Sequence, residues 1–101
     1  KDVAELNSLY EDCVTAIRKT NPKRIIFIAP SKLSHPEGLQ YLKIPSQGNG
    51  YLMAEWHFYA AGPSKTNVKK RWTTGTAEEK HQIKKSIKVA VDWQKKTGIY
   101  T

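Results

Sequence analysis

At 101 residues the chain has room for one small domain, and a single cysteine, Cys13, excludes an intrachain disulfide or a cysteine-rich metal site. Seventeen Lys+Arg against nine Asp+Glu give a net charge of +8, which suits an acidic partner such as nucleic acid or anionic lipid and equally suits a solvated surface. Hydrophobic residues are 39% of the chain, and no apolar run approaches the roughly 20 residues that a membrane-spanning helix needs.

Taken in order, Asp2 is placed to cap a helix from Val3 to about Lys19. Val3, Leu6, Tyr10, Cys13, Val14 and Ile17 recur at three- and four-residue spacings and make one apolar stripe, with Cys13 as a small buried hydrophobe. Arg18 and Lys19 fall in the last turn, where cations suit the helix dipole, and Asn21-Pro22 stops the helix. Arg24–Pro30, RIIFIAP, is a continuous apolar run rich in β-branched residues. It reads as a parallel strand buried on both faces.

Ser31–Gly50 is an irregular crossover with Pro36, Pro45 and a Gln47-Gly48-Asn49-Gly50 end. It has room for a short helix over Pro36–Lys43, and His35 within it reads as an exposed loop histidine. Tyr51–Ala60 is the second strand. Side chains alternate along it, so Met53, Glu55, His57 and Tyr59 share one face, and Leu52, Ala54, Trp56 and Phe58 share the apolar face that packs on helices. The loop Gly62–Gly75 gathers Lys65, Lys69, Lys70 and Arg71 beside Trp72. That grouping fits single-stranded nucleic acid, an indole stacked on a sugar ring, or a solvated loop pinned by one aromatic. Thr76 and Glu79 form a capping box for a helix that runs to about Lys96, with Ile83, Ile87, Ala90 and Val91 along one face. His81 sits on its polar side, and Gly98 ends it. Ile99–Thr101 opens a further strand.

Helix, strand, loop, strand, helix, strand is the rhythm of α/β modules in a parallel sheet. Two complete strands cannot close a barrel, so the chain reads as an excerpt of a larger one. Ligands in such folds sit at the C-terminal ends of the strands. His57 and Tyr59 occupy that position, about 6–7 Å apart along one strand face. There is no phosphate-binding glycine loop, no G-x-S-x-G elbow and no metal-ligand spacing among His35, His57 and His81. No cofactor or metal is called for.

The runs LNSLYEDCVTAIRKTNPKRIIFIAP, YLMAEWHFYAAGP and VDWQKKTGI, in that order, resemble the second half of a glycoside hydrolase family 5 catalytic domain of the endoglucanase type. They are similar to the span from the fourth to the sixth helix of that family's (β/α)8 TIM barrel, and His57-Phe58-Tyr59 matches the His-x-Tyr signature at the end of its sixth strand. The resemblance implies a retaining β-1,4-glucanase in which one glutamic acid protonates the leaving oxygen and a second attacks the anomeric carbon. The Asn-Glu-Pro motif of the acid/base and the nucleophile at the end of the seventh strand match nothing in this sequence, so the 101 residues alone are expected to be inactive. By resemblance His57 and Tyr59 bind in the cleft, Tyr59 against the nucleophile and His57 against substrate; Trp72, read from its own loop, is the third candidate sugar contact. Glu55 matches neither catalytic motif and is expected to be structural, paired or protonated. The implied partners are a β-glucan and the rest of the barrel, in a secreted protein, with a membrane excluded and nucleic acid disfavoured. A nucleic-acid-binding module around Lys65–Trp72 and an inert fragment that associates through its strand edges are the alternatives.

Overall fold

Three parallel segments lie side by side in the computed structural model, which describes residues 2–58 and 75–101. β1 (Ile26–Ile28) pairs with β2 (Leu52–Ala54) in the register Ile26↔Leu52, Phe27↔Met53, Ile28↔Ala54. Tyr100 adds a parallel bridge to Met53 on the far side of β2, and its carbonyl accepts from the Ala54 amide at 2.8 Å. The expected third strand therefore begins where the sequence places it, with the middle position held by β2.

The register sets Ile26, Ile28, Leu52 and Ala54 on one face. Ile28, Leu52 and Ala54 are buried there, and Ile28 and Ala54 join Leu39 and Leu42 of the crossover and Ala90 and Trp93 of the C-terminal helix in one core. Ile28, Leu39, Leu42 and Leu52, so buried, each stabilise the fold by about 1.5–3 kcal/mol. The opposite face differs from the expectation of a strand covered on both sides. Ile25 is 55% exposed and Phe27 58%, because no element among the described residues packs over them.

α1 (Val3–Arg18) starts at Asp2, whose carboxylate accepts from the Ala4 amide at 3.4 Å. Its inward face carries Tyr10, Val14 and Arg18. Cys13 is exposed, not buried, because it sits about 100° round the helix from Val14. The Tyr10 hydroxyl donates to the Ala29 carbonyl at 2.8 Å and accepts from the Ala29 amide at 3.0 Å, which satisfies the backbone just beyond β1. Asn7 holds the crossover in the same way, donating to the Tyr41 carbonyl and accepting from the Lys43 amide, both at 3.0 Å.

Arg18 departs furthest from its sequence reading. Its side chain is 6% exposed and turned inward. All five guanidinium N–H donors are used on five carbonyls: Nε on Gln47, Nη1 on Asn21 and Arg24, Nη2 on Gly48 and Tyr51, at 2.7–3.1 Å. Carbonyl dipoles at the end of α1 and in the turn before β2 take the place of a counter-ion.

The short helix expected over Pro36–Lys43 is a 3-10 helix, Pro36–Tyr41. The C-terminal helix runs Ala77–Thr97 with both arms of the capping box formed and Gly98 in the left-handed region at φ 75°. Its buried line is Ala90 and Trp93, not the full aliphatic stripe. Ile87 is 41% and Val91 43% exposed, because the indole three residues on from Ala90 turns the helix toward the 3-10 segment.

Candidate functional site

β2 stops at Ala54, well short of the strand expected to reach Ala60. β1 turns away at Pro30, which has no amide proton, so the ladder has nothing left to pair with. The last contact to the strand is the Glu55 amide on the Ile28 carbonyl at 2.9 Å. Two residues later the His57 amide donates instead to the Ser34 carbonyl at 2.8 Å.

Ser34 belongs to a turn of unusual backbone. Lys32, Leu33 and Ser34 have φ of 59°, 57° and 62°, three successive left-handed residues with no glycine or asparagine among them. Each carries a cost of order 1–2 kcal/mol. No sequence signal marks this turn, because the residue types that normally announce positive φ are absent. Leu33 at its apex is 99% exposed, and the Lys32 ammonium lies 5.2 Å from the centre of the Tyr41 ring.

The shared face expected of Glu55 and His57 persists beyond the strand. His57 Nε2 lies 2.7 Å from Glu55 Oε1, with the side chains about half exposed. Glu55 is thus paired, but it is exposed and not buried, so burial is not what requires the partner. On the other side of the segment the Trp56 and Phe58 rings pack with centroids 5.6 Å apart, and Trp56 touches the core. That contact fixes the segment carrying His57.

Tyr59 and Trp72, with Lys65, Lys69, Lys70 and Arg71, lie outside the described residues. His35 is half-buried, and its Nδ1 accepts from the Glu37 amide at 3.4 Å, capping the 3-10 helix. His81 is exposed on the C-terminal helix. Among the described residues no group of three His, Cys, Asp or Glu could hold a metal ion. No helix among them is long and apolar enough to cross a membrane.

Parallel strands backed by helices, with polar side chains gathered where the strands end, define part of a (β/α)8 TIM barrel seen at its ligand-binding end. The family model for cellulase, glycosyl hydrolase family 5, matches residues 1–101, and the chain belongs to that family. Among solved structures it is similar to the Clostridial cellulose synthase subunit Z (CcsZ) from Clostridioides difficile, with a TM-score of 0.79 and 25% identity. The likeness covers 96% of this chain and 35% of that one, so the chain spans about a third of the length of the protein it matches. No curated protein matches the sequence.

Proposed function

We propose that this chain is a segment of a retaining endo-β-1,4-glucanase and supplies part of its sugar-binding cleft. The observation that carries the reading is the family match across residues 1–101, and His57, the first residue of the His57-Phe58-Tyr59 signature, comes three residues after the end of β2. In this reading the substrate is a β-1,4-glucan, and both glutamates of the double displacement come from parts of the barrel beyond these residues. His57 hydrogen-bonds a sugar hydroxyl, Tyr59 holds the nucleophile, and Trp72 stacks on a sugar face. The assembled enzyme acts on polysaccharide outside the cell.

The test is reducing-sugar release from soluble β-1,4-glucan by the longest natural polypeptide that carries this sequence, beside its His57→Ala variant. Cleavage by the parent and a loss of about 10²-fold in the variant, the scale of one positioned transition-state contact, support the reading. A parent inert on every β-glucan and β-mannan rejects it.

A further inference from the structure

Two hydrogen bonds converge on His57 from different parts of the chain. Its backbone amide is held by the Ser34 carbonyl at 2.8 Å, and its ring by Glu55 at 2.7 Å. The ring contact has a definite polarity. An ionised carboxylate only accepts, so the shared proton must be on Nε2 of the imidazole. That leaves Nδ1 of neutral His57 as an acceptor, and among the described residues it has no partner.

We propose that Glu55 is a positioning residue: it selects the Nε2–H tautomer of His57 and fixes the ring, so that Nδ1 accepts a hydrogen bond from a hydroxyl of the bound sugar. The role of Nδ1 rests on the glucanase reading above, but the choice of tautomer does not. A carboxylate that orients an imidazole through the nitrogen facing away from the chemistry is a recurring way to set which ring nitrogen is free. The geometry here is economical. Residues i and i+2 of an extended segment present their side chains to the same side, so one short stretch holds both the ligand group and its orienter. The left-handed turn contributes the second anchor. With the His57 amide tied to Ser34, the ring pivots on a fixed backbone and the Glu55 contact removes its remaining freedom.

The experiment uses the longest natural polypeptide, labelled with 15N-histidine, and reads the His57 ring by long-range proton–nitrogen NMR with His57→Ala for assignment. Glu55→Met removes the acceptor at similar size, whereas Glu55→Gln keeps a neutral acceptor oxygen. The expected result is one Nε2–H tautomer in the parent and in Glu55→Gln, and a mixture in Glu55→Met. On soluble β-1,4-glucan, kcat of Glu55→Met falls about tenfold, the scale of one lost hydrogen bond, with KM within about twofold and with most of the rate restored in Glu55→Gln. A parent ring protonated on Nδ1 overturns the proposal, as does a Met variant that keeps a single Nε2–H tautomer or the parent kcat. If Glu55→Met does not fold, the parent tautomer decides. If the parent cleaves no β-glucan, the glucanase reading falls while the tautomer measurement still tests Glu55.

Discussion

The guanidinium of Arg18 and the amide of Ile26 donate to the same oxygen, the carbonyl of Tyr51, at 3.1 and 3.0 Å. One acceptor thus joins the end of α1, the first residue of β1 and the residue before β2. The other four Arg18 bonds gather the turn after α1 and the Gln47-Gly48 turn around that point. The three elements meet on a single buried cation.

Arg18→Met would take a donor from five carbonyls, of which Asn21, Gly48 and Tyr51 keep a backbone amide and Gln47 and Arg24 lose the guanidinium that holds them. We expect a loss of about 3 kcal/mol or more in urea unfolding of the longest natural polypeptide. Arg18→Lys should recover only part, because an ammonium has three donors and no planar fork. A lysine variant as stable as the parent would show that charge, not the fork, holds the turn.

Two glycines should differ for separable reasons. A Cβ on Gly38 would lie 2.4 Å from the Ser31 carbonyl oxygen and 3.0 Å from Pro30 Cβ, and backbone cannot move aside cheaply. Gly38→Ala is expected to cost about 2 kcal/mol or more. Gly98 has open space around it but a φ of 75°, so Gly98→Ala should cost about 1 kcal/mol from conformation alone. Denaturant midpoints that reversed this order would contradict the packing of the crossover.

Leu33 is fully exposed at a left-handed φ of 57°, so it gains no burial in exchange for its backbone strain. Leu33→Asn, which tolerates that conformation, should stabilise by about 0.5–1 kcal/mol, read as a rise in thermal midpoint. A fall would mean that the leucine packs against another part of the assembled barrel.

Glu11 should make stability depend on acid. Its carboxylate accepts from the Ser46 hydroxyl and from the Ser46 amide, and these bonds, with Lys43 nearby, hold its pKa below the ordinary 4.5. A depressed folded-state pKa stabilises above the unfolded value, and the contribution is lost as pH falls through the folded one. The parent should therefore unfold at a higher temperature than Glu11→Gln at neutral pH. The gap should hold down to about pH 4.5 and close below it. A gap that widened in acid would refute the assignment.

The sequence by itself determined the element order, the capping box at Thr76 and Glu79, the stop at Gly98, the parallel sheet and the family, and it put Glu55 and His57 on one side. These are local matters: periodicity, end-capping chemistry and the alternation of an extended chain are written within a few residues of where they act. Only the tertiary structure decided that Arg18 folds inward, that Cys13 stays outside, that Trp93 and not Val91 faces the core, and that β2 ends at Ala54. Each depends on what another part of the chain presents: free carbonyls around Gln47 and Tyr51, the rotation of a helix on its neighbour, a proline that ends the partner strand. The pairing of His57 with Ser34 is of the same kind, since nothing in Lys32-Leu33-Ser34 announces positive φ. A stripe or a cap follows from neighbouring residues, whereas the partner of a buried donor is chosen by the packing of segments some thirty residues apart, as Arg18 and Tyr51 are.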